Sequence, residues 1–465
     1  MKMRVEVVTV NADGSEQRSE VLTIERHEVC METLGMSLAE SKSLLSRVQN
    51  LMVAQQVDED LERRRPCTDC GQRHKIKDSG TAPIKTLFGE VSVQNPRWHR
   101  CSCQPQGPKT FRPVHRWMQG RTSIEMLYLE SKWASLIPFA KVADLLKEVL
   151  PVNDSLNPET IRNHLQATAE RIEQGLGQER HLADYEGTEE EWEKQPTPDG
   201  PITVGIDGGY VRAAHKQGCF EVIAGKSIVA FRRDDATEAP PSAKCFGFVQ
   251  IYDDKPRRRL WELLKSQGMQ ENQQVVFMSD GGEDVRRVQQ YLHPSSEHLL
   301  DWFHITMRLT VLQQQTKGLQ QERPEMGTDV AERLESIKHL LWHGNTPEAL
   351  DRLTSLSLSL DRIREHSAPA AKVANGLTEF EIYIKNNSEF IPNFGDRWRQ
   401  GERISTGFVE STINQVVSRR FVKKQQMQWS LRGAHLLLQT RTKVLNDELD
   451  VTFRKWYPQF RPQAA

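Results

Sequence analysis

Long apolar runs are missing from this sequence, and their absence excludes a membrane-spanning protein. No stretch approaches the roughly 20 apolar residues that a spanning helix needs. The N-terminus carries basic residues but no apolar core, so we expect no secretory signal. Internal repeats and low-complexity tracts are absent as well. The length of 465 residues and the 37% of hydrophobic residues predict a globular chain of about three domains.

A large net charge of either sign is also lacking, since 62 Lys and Arg residues against 63 Asp and Glu residues leave a formal charge of −1. Taken alone, this balance argues against a nucleic-acid partner, but the total charge averages over acidic and basic segments. Residues 97–121 hold six basic residues and no acid, and residues 397–443 hold ten basic residues against two acids. Affinity for a phosphate backbone depends on local Lys/Arg density, so both stretches predict phosphate contacts that weaken with salt.

Cysteine is scarce, with seven residues, but four of them form two close pairs, a Cys-x-x-Cys and a Cys-x-Cys. Without a secretion signal we expect a reducing compartment, where paired cysteines are typical of metal sites. Two short knuckles can supply the four ligands of a tetrahedral zinc ion, and the strand-like alternation over 86–100 suits a zinc ribbon. The predicted structural zinc ligands are Cys67, Cys70, Cys101 and Cys103, with His74 and His99 as substitutes for one of them.

Composition and periodicity divide the chain into successive segments. Ser37 and Glu40 form a capping box that predicts the start of a long helix. The predicted boundaries are 1–66 for an N-terminal strand-helix segment, 67–118 for a zinc-ribbon-like module, 119–174 for a helical region, 175–201 for an acidic linker, 202–304 for the first part of an α/β core, 305–400 for an all-helical insertion, and 401–465 for the last part of the core with a basic C-terminal segment.

The helical region of 119–174 has the pattern of a helix-turn-helix. A helix stopped by Pro151 is followed by a turn and by a second helix that Asn157 caps. Near the start of this second helix, Arg162 and Asn163 are the candidate DNA-contacting residues. A helical hairpin that serves packing alone gives the same pattern, so both interpretations stay open.

The second half begins with an α/β pattern. Strands are predicted over 202–210, 218–230, 245–252, 274–279 and 299–303, with a helix over 257–268 after the third strand. This order indicates a mixed sheet with helices. Beyond it we expect only helices over 305–400, one of them capped by Thr328, and then a last helix from about residue 407.

Three carboxylates stand out in this half. Asp207 interrupts an otherwise apolar strand, where a carboxylate is costly to bury unless it is paired or bound to a metal. Asp280 follows a second apolar strand, and Glu410 lies on the last helix. Two-metal phosphoryl transfer uses such a set, and oxygen ligands of this kind suit magnesium. Asp-Gly-Gly alone is also typical of a turn.

Several motifs around these carboxylates resemble the ISKra family of bacterial insertion-sequence transposases. The resemblance covers about 202–445. The matching motifs are Gly205-Ile206-Asp207-Gly208-Gly209-Tyr210-Val211-Arg212, Phe220-Glu221-Val222-Ile223-Ala224-Gly225-Lys226, Ser279-Asp280-Gly281-Gly282-Glu283, Asp301-Trp302-Phe303-His304, Gly407-Phe408-Val409-Glu410-Ser411-Thr412 and Arg419-Arg420-Phe421.

This resemblance implies a ribonuclease-H-like core interrupted by an all-helical insertion and preceded by the zinc-bearing, helical DNA-binding region. It implies that Asp207, Asp280 and Glu410 bind two magnesium ions, for which manganese can substitute. Asp301 and His304 match a short signature near the catalytic centre, although His304 can equally be a packed histidine on a strand edge. The basic residues Arg419, Arg420, Lys423 and Lys424 are further candidate DNA contacts.

The expected activity is that of a DDE transposase, which cleaves the ends of an insertion sequence and joins them to target DNA. Its partners would be the terminal inverted repeats and the target, both double-stranded DNA, and a membrane would play no part. Joining two ends implies at least a homodimer, at the nucleoid in the bacterial cytoplasm. The alternatives are a ribonuclease-H-like nuclease without strand transfer and a non-catalytic zinc-ribbon regulator.

Overall fold

The structure is a computed structural model that describes residues 1–10, 14–118, 120–179, 194, 200–214, 218–229, 243–270, 272–282, 296–405, 407–422 and 427–461. The side chains of Phe408, Glu410 and Val422 are outside this description. Most of the predicted acidic linker, 175–201, also lies outside the described residues. None of the described helices is both long and apolar enough to cross a bilayer.

The described chain alternates helices and strands, which confirms the predicted α/β class. The strands are β1 (Lys2–Val10), β2 (Glu16–Glu25), β3 (Ile76–Asp78), β4 (Thr81–Thr86), β5 (Gly89–Gln94), β6 (Arg97–His99), β7 (Thr110–Phe111), β8 (Ile202–Arg212), β9 (Cys219–Val229), β10 (Ala243–Val249), β11 (Val275–Ser279) and β12 (Glu297–Leu300). The helices are α1 (Leu38–Arg64), α2 (Ile124–Leu136), α3 (Phe139–Val149), α4 (Pro158–Leu176), α5 (Pro256–Ser266), α6 (Trp302–Glu322), α7 (Pro324–Trp342), α8 (Thr346–Asp361), α9 (Ala368–Asn386), α10 (Phe394–Arg399), α11 (Gly407–Ile413), α12 (Leu431–Leu445) and α13 (Leu449–Trp456).

The chain forms two compact units. The first contains Met1–Thr168 together with Leu449–Ala465, and the second contains Ala169–Glu448. Their boundary therefore falls inside α4 rather than in the predicted linker. The segment 449–465, which the sequence assigned to the core, belongs to the first unit because the ring of Tyr128 packs against Phe453 at 5.2 Å.

In the first unit, the predicted capping box starts α1. The Ser37 hydroxyl accepts a hydrogen bond from the Glu40 N–H, and the Glu40 carboxylate accepts one from the Ser37 N–H at 2.8 Å. Further along α1, Val57 and Leu61 are buried in one apolar cluster with Trp98. The region 86–100, which the sequence predicted to be strand-like throughout, contains the turn from β4 into β5 and then β6.

The second unit is built on one five-stranded mixed sheet in the order β10-β9-β8-β11-β12. The pairs β10–β9 and β9–β8 are antiparallel, whereas β8–β11 and β11–β12 are parallel. On one face, alternate residues of β8 (Ile202, Val204 and Ile206) pack with Leu260 and Leu264 of α5 in a buried apolar cluster. The opposite face of β8 carries Asp207.

Between β12 and α11 the described residues are helical or in connecting turns, which agrees with the predicted insertion. Two local predictions are wrong. The fifth strand ends at Leu300, and residues 302 and 303 already belong to α6, because Asp301 caps that helix by accepting the Phe303 N–H. Thr328 does not start a helix, since α7 begins four residues earlier at Pro324.

A buried arginine holds α4, α5 and the end of β10 together within the second unit. The Arg259 guanidinium donates to Glu173 of α4 at 2.8 Å and to Asp253 at 2.9 Å. Burial by itself would lower the pKa of Arg259, but the two carboxylates raise it. With His435, these carboxylates have the spacing of a metal site, yet both already accept hydrogen bonds from the Arg259 guanidinium.

Replacing Arg259 tests this network. Arg259→Met leaves the buried Asp253 carboxylate and the part-buried Glu173 carboxylate without the guanidinium, so we expect the free energy of unfolding to fall by about 3–5 kcal/mol. Urea titration measures it. Arg333→Met is the matched control, because Arg333 pairs with the exposed Asp329 at 3.7 Å, and its cost should stay below about 1 kcal/mol. Equal losses in the two variants would contradict the role of Arg259.

Candidate functional site

Three aspartates lie at one level of the five-stranded sheet. In the parallel ladder of β11 and β8, Met278 pairs with Gly205, and the register continued by two residues sets Asp280 beside Asp207. In the ladder of β11 and β12, Ser279 pairs with Leu300, so the next position sets Asp280 beside Asp301. Neighbouring strands are about 4.8 Å apart, so the topology brings two predicted catalytic aspartates and one accessory aspartate together.

Asp207 carries a clear electrostatic signature of this arrangement. Burial raises the pKa of Asp207, and the negative charges of Asp280 and Asp301 raise it further, while the Gly208 N–H and His304 oppose the shift. The Gly208 N–H donates to the Asp207 carboxylate at 2.7 Å. Clustered carboxylates of this kind are typical of functional sites, where a cation or a proton relieves their repulsion.

Asp301 and His304 occupy the junction between β12 and α6. The Asp301 side chain is fully buried and accepts the Phe303 N–H at 2.8 Å, as an N-cap does. The Nε2 atom of His304, one helical turn later, lies 3.7 Å from the Asp301 carboxylate. His304 is therefore on a helix and not on a strand edge, and it points one imidazole nitrogen toward the aspartate cluster.

The loop that carries Asp280 is fixed by the helical insertion. The Tyr383 hydroxyl of α9 donates to the Asp280 carbonyl oxygen at 3.0 Å. Gly281 has a φ of +92°, and a Cβ atom there would overlap the side chain of Asn387 at the end of α9. Asn387 in turn donates to the Tyr383 carbonyl oxygen at 2.8 Å. The residues from α9 therefore set the position of a predicted catalytic carboxylate.

A third side chain of the insertion, that of Arg308 on α6, packs against Tyr383. Its guanidinium lies 4.1 Å from the centre of the Tyr383 ring. Burial raises the pKa of Tyr383; Arg308 opposes this rise, and the charges of Asp280 and Asp301 add to it. Sequence reasoning missed Arg308, Tyr383 and Asn387, since their helical segments give no motif and only the folded insertion brings them to the sheet.

The helix of Glu410 packs on the face of β8 that carries Asp207. A Cβ atom at Gly209, two residues beyond Asp207 and on the same face, would lie 3.4 Å from Ile413 and 3.5 Å from Val417. Glu410 belongs to α11, one turn before Ile413, so its backbone lies on this face too. Its side chain is outside the described residues.

The described aspartate oxygens do not form a set in which all lie within 4.8 Å of one another. The strand order accounts for this, since β11 separates Asp207 from Asp301 by two strand spacings. The site therefore consists of three aspartates in register, a histidine and the helix of a predicted glutamate, with oxygen donors that suit a hard divalent cation.

The predicted DNA-contacting residues have different surroundings. Arg162 and Asn163 are exposed on α4, where Arg162 pairs with Glu159. Arg419 is exposed on the π-helical continuation of α11, Asn414–Val422. Lys423 and Lys424 lie outside the described residues.

Arg420 departs from the prediction, because it is only 4% exposed. Burial, followed by the charge of Arg441, lowers the pKa of Arg420 to about 9, and its guanidinium lies 5.2 Å from the Trp429 ring centre. The wider turn of the π-helix changes the face on which each residue lies. Arg420 thus packs inside the second unit and does not present its charge to a phosphate.

The second candidate site is the cysteine cluster of the first unit. The sulfur atoms of Cys67, Cys70, Cys101 and Cys103 all lie within 4.8 Å of one another. The Cys67 and Cys103 sulfurs are 3.5 Å apart, and those of Cys70 and Cys101 are 3.3 Å apart. A tetrahedron with Zn–S bonds of about 2.3 Å has sulfur–sulfur edges of about 3.8 Å, so the cluster can hold a metal ion such as zinc.

Local backbone geometry explains how each knuckle forms. Gly71 has a φ of +72° and donates to the Cys67 carbonyl oxygen, which closes the first turn. The Gln104 N–H closes the second turn on the Cys101 carbonyl oxygen at 3.0 Å. Neither His74 nor His99 belongs to this set of close ligand atoms, and the Nδ1 atom of His74 lies 3.0 Å from the His99 carbonyl oxygen.

The thiols of this cluster differ in pKa. The Cys103 backbone N–H, followed by the Cys103 and Cys70 side chains, lowers the pKa of Cys101 to about 7. The pKa values of Cys70 and Cys103 are raised instead. Without a metal, the Cys101 thiol therefore loses its proton readily while those of Cys70 and Cys103 hold theirs, whereas a divalent cation favours the thiolate form of all its ligands.

Metal analysis tests this site. We expect one zinc ion per chain in protein purified without chelator, and we expect Cys70→Ser to lose it and to expose 67–103 to proteolysis, because a structural zinc is coupled to folding. Cys30→Ser is the matched control, since Cys30 is an exposed thiol outside the cluster. Full zinc content in Cys70→Ser would rule out the four-cysteine site.

Comparison with known proteins does not assign the chain to a family. No protein-family model matches the chain, and no characterised protein matches it in a sequence comparison.

Proposed function

We propose that this chain is a DDE-type transposase that binds the ends of an insertion sequence, cleaves them and joins them to target DNA. The observation that carries the proposal is the alignment of Asp207 and Asp280 on adjacent parallel strands, with the helix of Glu410 packed on the face of Asp207. Acidic residues drawn from two strands and a distant helix suit phosphodiester chemistry, because several oxygen ligands converge on one edge.

The strand order supports a ribonuclease-H-like core. Three antiparallel strands in chain order, β8, β9 and β10, are followed by β11 and β12, which add in parallel on the other side of β8. The sheet thus has the order 3-2-1-4-5, with the first strand at its centre. The first carboxylate lies on that central strand, as the resemblance to ISKra transposases requires.

The donor set fits magnesium or manganese. Asp207, Asp280 and Glu410 would hold the ions, since oxygen donors suit hard cations and the raised pKa of Asp207 reflects its burial among negative charges. Bound there, the ions would supply positive charge that favours ionisation of the attacking oxygen and neutralises the leaving oxygen.

In this proposal, His304 and Tyr383 near the carboxylates position the DNA strand and the loop that carries Asp280. Water attacks the phosphodiester at the transposon end, the P–O3′ bond on the leaving side breaks, and a 3′-hydroxyl is released. That hydroxyl then attacks a target phosphodiester and replaces one of its oxygens. We assign His304, on α6 beside the buried Asp301, to contact with the cleaved strand, and Tyr383 would hold the Asp280 loop during both steps.

The first unit fits the DNA-binding role in this proposal. The cysteine cluster would fix the ribbon, and the basic residues of 97–121 would contact phosphates. Cleavage of two ends requires at least two copies of the chain, acting at the bacterial nucleoid.

Carboxylate variants test the catalytic assignment. We expect Asp207→Ala, Asp280→Ala and Glu410→Ala each to abolish cleavage and joining of labelled end DNA in magnesium, while end binding persists. Asp254→Ala, which removes an exposed carboxylate before α5, should act normally. Normal joining by Asp280→Ala would overturn the proposal, and cleavage by the unmodified chain without any joined product would instead identify a nuclease.

The role of the insertion is tested by Tyr383→Phe. This variant removes the hydroxyl that donates to the Asp280 carbonyl oxygen and that also interacts with Arg308, so we expect roughly fivefold slower cleavage with unchanged DNA affinity. Tyr252→Phe, in the same unit, is the control. Single-turnover rates measure the effect, and an unchanged rate in Tyr383→Phe would show that the loop does not need this bond.

A further inference from the structure

A polar cavity in the first unit has the chemistry of an anion site. It has a volume of about 470 Å³ and lies between β4, the end of β5 and the 3₁₀ turn Pro113–Arg116. Its described lining contains two arginines and one histidine and no carboxylate. The lining residues are Gly80, Thr81, Ala82, Asn95, Arg112, His115, Met118, Gly120 and Arg121.

Backbone hydrogen bonds make the walls of this cavity rigid. The Asn95 N–H donates to the Gly80 carbonyl oxygen at 2.7 Å. On the other side, the Lys85 N–H donates to the Arg121 carbonyl oxygen, and the Ser123 N–H donates to the Lys85 carbonyl oxygen, both at 2.8 Å. Arg121 is therefore held against β4 by its backbone, while its side chain remains exposed.

The positive charge of the cavity is not cancelled within its walls. Arg112 donates through Nη1 to the Asn95 carbonyl oxygen, and its Nη2 lies 4.0 Å from the Asp78 carboxylate. That carboxylate is already paired with Arg97, whose Nε donates to it at 2.8 Å. Because a guanidinium has five N–H donors, Arg112 keeps donors for a ligand.

Asn95 gives a second, independent indication of a ligand. Its side chain is 7% exposed, and its Oδ1 atom is buried with no hydrogen-bond partner among the described residues. A buried amide without a partner is costly. Since a half turn of the amide exchanges its oxygen and nitrogen, Asn95 can donate to an anion held by the two arginines.

We infer that this cavity binds a phosphate of the DNA backbone, with Arg112, Arg121 and Asn95 as its donors and His115 at its rim. The inference rests on the proposed DNA-binding role and gives it a defined phosphate site outside the carboxylate cluster. A duplex phosphate is the favoured ligand because the cavity is open at the surface and lies within the basic stretch 97–121, where further arginines can follow the backbone.

The test compares two arginines that differ in their relation to the cavity. Arg121→Gln removes a cavity donor, whereas Arg18→Gln removes the same charge from an exposed position of the same unit that lies outside the cavity and outside the basic stretch 97–121. Binding of the full chain to labelled end duplex is measured by anisotropy from 50 to 300 mM salt, without magnesium. We expect Arg121→Gln to bind roughly tenfold more weakly, with a salt slope reduced by about one, and Arg18→Gln to stay within about twofold.

Arg121→Lys should keep most of the affinity, because a lysine still supplies a point charge to a phosphate. Unchanged zinc content and thermal midpoints show that the variants are folded. Equal losses in Arg121→Gln and Arg18→Gln would overturn the site, and an equal dependence on Arg121 for duplex RNA would overturn its assignment to DNA. Since this assay needs no catalysis, it can fail while cleavage by the unmodified chain succeeds, and the reverse also holds.

Discussion

The second unit is organised around one electrostatic constraint, three aspartates at the same level of adjacent parallel strands. Asp207, Asp280 and Asp301 are held close together, because the ladders of β8, β11 and β12 keep them in register with Asp280 between the other two, and neighbouring strands lie about 4.8 Å apart. Burial and repulsion raise the pKa of Asp207, and the Gly208 N–H and His304 only partly offset the shift. Such an arrangement stores unfavourable energy that a bound cation can release, which is why a metal-dependent function suits it.

The helical insertion stabilises this constraint from outside the sheet. Burial of Asp301 is tolerated because the side chain caps α6, the first helix of the insertion. The Asp280 loop is held by Tyr383 of α9, the fourth helix of the insertion. The first and fourth helices of the insertion therefore each contact a carboxylate-bearing segment, so the insertion is a structural component of the candidate site and not a separate appendage.

Patterns that depend on local sequence were predicted well, whereas features that depend on long-range packing were not. The capping box at Ser37, the cysteine pairs and the strands around Asp207 follow from short-range chemistry. The predicted role of Arg420 in DNA contact failed because a basic run does not reveal which members a π-helix turns inward. Tyr383 could not be found either, since it lies about one hundred residues from the loop that it holds.

The glycines of the two Asp-Gly-Gly motifs have different structural roles. After Asp280, Gly281 has a φ of +92° and leaves room for the side chain of Asn387. The glycine therefore allows a turn against which the insertion packs. After Asp207 the chain continues as strand, and Gly209 instead gives the helix of Glu410 space to approach the sheet, with Ile413 only 3.4 Å from where a Cβ would lie. A larger residue there would push that helix outward, and the glutamate would move away from the aspartates. The turn interpretation of Asp-Gly-Gly thus holds for one motif, and in the other the glycine sets the distance between two parts of the candidate site.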